Sequence, residues 1–120
     1  MLAIAILFLT QIVIAQQATD FKNKTPEQRA TFQTDMMKNK LNLDSDQAAK
    51  VQAINLKYAQ KFEPIIKSDD SRFSRLRQAR ALQKTKDAEL KMVFTSSQYK
   101  QYQDFEAEMK EKLKDKMGNN

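Results

Sequence analysis

Apolar side chains recur every three or four residues along two stretches of this chain. Ala48, Val51, Ile54, Tyr58, Phe62 and Ile66 fall on one helical stripe, and Tyr99, Tyr102, Phe105, Met109, Leu113 and Met117 fall on another. One constant shift of 51 residues carries the first set onto the second. The same shift pairs the residues that open each stripe, Leu43-Asp44-Ser45-Asp46-Gln47 and Phe94-Thr95-Ser96-Ser97-Gln98. Both read as helix starts. Asp44 and Thr95 are N-caps whose side-chain oxygens can accept from a free backbone N–H, and Gln47 and Gln98 stand where an amide can reach back to the cap. Phe94 and Tyr99 occupy the positions of a hydrophobic staple, and Leu43 and Ala48 are their counterparts. Two amphipathic helices aligned at their caps would share part of a stripe in any case. The pattern is read here as a duplicated unit, a capped helix with its partner.

Two further helices fill the chain. Thr25-Pro26-Glu27-Gln28 has a Thr cap, Pro at the first helical position and Gln at the box position. Ala30, Phe32, Met36, Met37 and Leu41 then supply the apolar positions of a short helix ending near Lys40. The helix that begins at Ser45 contains Pro64, which removes one hydrogen bond. Ile65 and Ile66 continue the apolar stripe, so a kink is expected rather than a stop. The polar run Lys67-Ser68-Asp69-Asp70 ends that helix.

A third helix, about 71–92, has no clean face. Phe73, Leu76, Leu90 and Phe94 lie on one row and Ala79, Leu82 and Val93 on its neighbour, among seven basic residues from Arg72 to Lys91 opposed only by Asp87 and Glu89. Arg77, Arg80, Lys84 and Lys91 share one side. The plain reading of such a side is a solvated basic face. Because apolar side chains interleave with the arginines, it is read here as a mixed contact surface. The fourth helix runs from Ser96 to about Met117 and stops at Gly118. Lys110, Lys112, Lys114 and Lys116 suit its C-terminal dipole and read as end charges.

Composition narrows the class. With one Gly and two Pro in 120 residues there is little room for hairpin turns, and good helix formers dominate, so the fold is all-α. Cys and His are both absent, which removes disulfides, thiol nucleophiles, imidazole acid–base chemistry and the usual zinc ligands. One Gly also precludes a Gly-rich phosphate loop, so the chain is expected not to be an enzyme, with no catalytic residues and no cofactor. The net charge of +6 is compatible with nucleic acid, anionic lipid or acidic protein partners, and does not choose among them. Met36-Met37 reads as core filling rather than a copper site.

The first fifteen residues stand apart. Residues 2–14 are an apolar run too short to span a bilayer, and Val13-Ile14-Ala15 places small residues at the −3 and −1 positions of a signal-peptidase site. Residues 1–15 are therefore expected to be a signal peptide cleaved before Gln16, leaving no stable membrane insertion. Met1 is not followed by Lys or Arg, so the positive n-region of the usual signal-peptide pattern is missing here. A loose arm (16–24), a helical domain (25–117) and a tail (118–120) follow.

Two L-T-x-x-Q-type motifs, each opening a helix in a small, basic, exported all-α chain, resemble those of the Spy/CpxP family of periplasmic proteins. The motif residues here are Leu43, Asp44 and Gln47, then Phe94, Thr95 and Gln98. Asp44 stands where the family has Thr, and Phe94 where it has Leu. Each replacement keeps its role, since Asp also caps and Phe also staples. The resemblance covers roughly residues 25–117. It implies a four-helix, thin, curved, hairpin-type fold that forms a homodimeric cradle in the periplasm. It also implies an ATP-independent chaperone of the stress response, holding unfolded client proteins on a basic, partly apolar surface. Here that surface would comprise Arg72, Phe73, Arg75, Leu76, Arg77, Arg80 and Lys84 of the third helix. The alternative within the family is a CpxP-like regulator docking on the periplasmic domain of a sensor kinase. Metal-sensing relatives use histidines and other donors that this chain lacks, so a metal site is not expected. The export signal argues against nucleic acid as a physiological partner. Dimerisation also has an independent argument, because four thin helices with an untidy third bury little apolar surface alone.

Overall fold

The computed structural model describes residues 23–118, which form four α-helices: α1 (Pro26–Leu41), α2 (Ser45–Lys67), α3 (Arg72–Val93) and α4 (Ser96–Gly118). The all-α fold expected from the sequence is the fold observed, and each boundary falls within a residue or so of its expected place. The expected signal peptide (1–15), residues 16–22 of the arm and the last two residues of the tail lie outside the described residues.

Local chemistry sets each helix start. Thr25 and Asp44 form full capping boxes with Gln28 and Gln47, and Ser71 caps α3 through the Ser74 N–H. The turn after α1 is made by Asn42 in the left-handed region (φ 54°, ψ 52°), a conformation Asn tolerates better than most non-glycine residues. The Leu43 N–H then closes onto the Lys38 carbonyl at 3.2 Å, the six-to-one bond of a Schellman turn. That turn drives Leu43 into the core beside Met37 and Leu41. Pro64 sits inside α2, which continues through it to Lys67, as Ile65 and Ile66 led us to expect.

α2 packs on α1 and on α3, while α4 makes smaller contacts with α1 and α3. The described body measures 47 × 37 × 24 Å, so it is about two helix diameters thick at its thinnest. One core cluster, Met37, Leu41, Leu43, Val51, Leu90, Phe94 and Tyr102, joins all four helices at the end where both capped turns lie. Ile54, Val93 and Tyr99 pack against it. The first apolar stripe is buried or half-buried along its length. The second behaves likewise from Tyr99 to Met109, and the side chains of its last members, Leu113 and Met117, lie outside the described set.

Below this core the interior turns polar. Thr34 and Asn55 are buried, with Asn55 Nδ2 donating to Thr34 Oγ1 at 2.9 Å and Thr34 Oγ1 donating to the Ala30 carbonyl at 2.9 Å. Arg29 is buried as well, donating to Glu63 and to the Lys24 carbonyl. Nothing in the helical periodicity marked these three residues as interior.

Candidate functional site

The two capped turns meet. Gln47 and Gln98, read from the sequence as local capping residues, also bind each other across the molecule. Gln47 Nε2 donates to Gln98 Oε1 at 2.7 Å, and Gln98 Nε2 donates to Gln47 Oε1 at 3.2 Å. The second amide hydrogens go to helix C-termini, from Gln47 to the Val93 carbonyl (3.2 Å) and from Gln98 to the Leu41 carbonyl (3.3 Å). Each Oε1 also accepts from its own cap, Asp44 N–H at 3.2 Å and Thr95 N–H at 3.0 Å. Both amides thus use two donors and two acceptor positions, their full capacity. Each glutamine starts one helix, closes the end of the helix before the other motif, and ties the two motifs together. Leu43 and Phe94, the staple residues, are buried in the core directly beneath. The six motif residues are therefore a structural joint and not a ligand site.

The predicted contact surface divides in two. Phe73, Leu76, Arg77 and Arg80 line one shallow concavity of about 120 Å³, with the Arg77 guanidinium 5.6 Å from the centre of the Phe73 ring. Phe73 is 73% exposed and Leu76 46%, unusual for large apolar side chains on a helix already short of core contacts. Lys84 faces elsewhere. It joins Arg80, Lys91 and Lys110 around an open groove of about 650 Å³ between α3 and α4, with Asp87 and Tyr99 in its wall. Arg72 is exposed, whereas Arg75 is half-buried and its Nε, buried, has no hydrogen-bond partner among the described residues. Met92, 89% exposed on the same helix, was not among the predicted contact residues.

Beside the groove lies a polar network that no helical pattern announced. Tyr102 Oη donates to Asp87 Oδ1 at 2.7 Å, and Gln83 Nε2 lies within hydrogen-bonding reach of Asp87 (2.9 Å), Glu106 (3.1 Å) and Tyr102 Oη (3.3 Å). Burial and the neighbouring Asp87 charge push the Glu106 carboxyl up to about 7, against the opposing pull of Lys110 and Tyr102. Burial and the bond to Asp87 raise the Tyr102 phenol strongly. The linkage has a definite sign. Between the ordinary carboxyl range and pH 7 the folded chain keeps a Glu106 proton that the unfolded chain releases, so stability falls as pH rises through that window. The melting temperature is expected to decline from pH 5 to pH 8, and Glu106→Gln is expected to flatten the decline and raise stability at pH 8. An unaltered slope in Glu106→Gln would remove Glu106 as its source. Lys86, lowered to about 8 by burial, acts in the opposite direction and only above that pH.

Among the described residues no cluster of three or more Asp and Glu side chains could hold a metal ion, and no helix is long and apolar enough to cross a membrane. The geometry thus defines a small four-helix protein whose two capped turns are locked to each other and whose third helix is left largely uncovered. The chain belongs to the family described as a domain of unknown function (DUF4890), whose model matches residues 15–102, a span that takes in both capping boxes and all of α3. No curated protein and no solved structure matches it.

Proposed function

We propose that this protein is an exported, ATP-independent chaperone that holds unfolded or misfolded chains on the exposed surface of α3. The observation that carries the reading is the juxtaposition of Phe73 and Leu76, both exposed, with Arg77 and Arg80 around one concavity. Unfolded chains present apolar side chains and backbone carbonyls together. A surface with rings, aliphatic groups and guanidinium donors meets both without demanding one sequence. Contacts of this kind are individually weak, so a client can shift while bound and release needs no nucleotide. The resemblance to the Spy/CpxP family supports the same role, and with it a homodimer in the periplasm. The role requires no catalytic residue and no cofactor.

The test is light scattering of a chemically denatured client diluted into the purified chain without ATP. Suppression is expected at near-stoichiometric amounts. It should weaken with added salt, since the Debye length shrinks from about 10 Å at 0.1 M to about 3 Å at 1 M, and persist in part through the apolar contacts. The triple variant Phe73→Ser, Arg77→Ser, Arg80→Ser is expected to lose protection several-fold. Its stability should change little, because exposed substitutions typically shift stability by less than about 0.5 kcal/mol each. Equal protection by this variant at equal melting temperature would overturn the assignment.

The α3–α4 groove favours a second reading. Arg80, Lys84, Lys91 and Lys110 around one opening suit a folded acidic partner, such as the periplasmic domain of a sensor kinase. Capture of one stoichiometric partner from periplasm, instead of many at low occupancy, would favour that regulator over the chaperone.

A further inference from the structure

Between α1, α2 and α3 lies a cavity of about 260 Å³ whose walls differ in character. Ala59, Phe62 and Ile66 of α2 make an apolar side, while Arg29 and Gln33 of α1 and Lys86 of α3 make a polar one. Lys86 is only 4% exposed. Its ammonium makes a single hydrogen bond, to Gln33 Oε1 at 2.9 Å, and none of the ion pairs among the described residues includes it. A buried charge in this position is normally paired or hydrogen-bonded to capacity, and an ammonium has three donors. Arg29 provides the contrast on the same wall, held by Glu63 and the Lys24 carbonyl. Gln33 uses its oxygen on Lys86, and its Nε2 donates to no described group. The Gln83 amide nitrogen is turned to the Asp87, Tyr102 and Glu106 network.

We propose that this cavity binds a small aliphatic carboxylate, its head group on Lys86 Nζ and Gln33 Nε2 and its tail along Phe62 and Ile66. The unpaired buried cation fixes the sign of the ligand, and the apolar side requires a hydrocarbon portion, which inorganic anions lack. The volume lies below the roughly 300–1,000 Å³ of sites for drug-sized ligands, which limits the tail to a short chain. Arg29 adds positive potential to the head-group end while remaining tied to Glu63. Burial lowers the Lys86 ammonium to about 8, opposed by the charges of Asp87 and Glu106. It is therefore charged for the most part at pH 7, and affinity is expected to fall as pH rises above 8.

The experiment titrates hexanoate and, separately, hexanol into the isotopically labelled purified chain at pH 7, following amide chemical shifts and binding heat. Hexanoate should saturate with shifts centred on Gln33, Phe62 and Lys86, and bind at least tenfold tighter than hexanol. Lys86→Met, which keeps an unbranched side chain and removes the charge, should fold and lose at least tenfold in hexanoate affinity. Should that variant fail to fold, the comparison of hexanoate with hexanol on the unaltered chain decides alone. Equal binding of the two, shifts centred elsewhere, absence of saturation, or unchanged affinity in folded Lys86→Met would overturn the site. N-acetyl-leucine separates the two sources of such a carboxylate. Saturable binding of hexanoate alone assigns the site to free acids, and binding of both extends it to polypeptide C-termini.

Discussion

Leu90→Ala is expected to remove a large part of this protein's stability. Leu90 is fully buried and belongs to the cluster that joins α1, α2, α3 and α4, with Val51, Phe94 and Tyr102. Truncating a buried leucine to alanine typically costs about 2–5 kcal/mol, part from lost transfer energy and part from the cavity left behind. Small domains have only about 5–15 kcal/mol in total. Each kcal/mol lowers the melting temperature of a domain this size by about 4–8 °C, so a fall of roughly 10–30 °C is expected. The effect is large because α3 has so little else to hold it: only Lys86 and Leu90 along its length are buried. Leu76→Ala on the same helix serves as the control. With nearly half its surface already in water, it should shift the transition by a few degrees at most. Comparable losses from the two variants, measured by thermal circular dichroism, would mean that α3 does not pack as described.

The second large effect is expected at the glutamine pair. Gln98→Ala removes the donor to the Leu41 carbonyl, the acceptor of the Thr95 N–H and both bonds to Gln47. Net contributions near 1 kcal/mol per hydrogen bond, reduced where water can enter, give a loss of about 2–3 kcal/mol. Gln47→Ala should cost about the same, because its bonding is the mirror of its partner's. The double variant should cost less than the sum, since the two bonds between the amides can be lost only once. A coupling energy of about 1–2 kcal/mol is expected from urea denaturation of the four proteins. Additive losses would show that each glutamine serves its own helix cap and nothing more. The cycle is informative about the repeat as well. If the paired amides are the joint between two duplicated units, their coupling should exceed that of either glutamine with its own cap residue.

Both effects show where sequence reading reaches and where it stops. The helices were legible because caps are short-range: Thr25 with Gln28, Asp44 with Gln47, and Thr95 with Gln98 each act within one turn. The inward stripes were legible for a related reason, since a period of three to four residues fixes a face before any partner is known. The repeat in turn announced that the two turns are equivalent, and the six motif residues proved to be structurally important. Their cross-pairing was not legible. A glutamine that satisfies a cap with one lone pair has donors left over, and only the arrival of the other turn decides where they go.

The same holds, more strongly, for charge. Composition established a basic chain and periodicity placed its arginines and lysines on α3, but helical spacing alone cannot tell which of them will be covered. Spacing set Lys86 off the side shared by Lys84 and Lys91 but did not mark it as interior; packing of α1 and α2 over its side of α3 buries it against Gln33 and leaves the other two in an open groove. Glu106 came to lie beside Asp87 because α4 lies against α3 there, the two nineteen residues apart in sequence and within reach of the same Gln83 amide. By itself, then, the sequence determined the helices, their ends and the inward stripes, all consequences of interactions within a turn or two. The tertiary structure alone decided the lock between the two turns, the carboxyl pair and the cavity around Lys86. Each of those depends on which surfaces exclude water together, a property of the assembled helices and of no single stretch of chain.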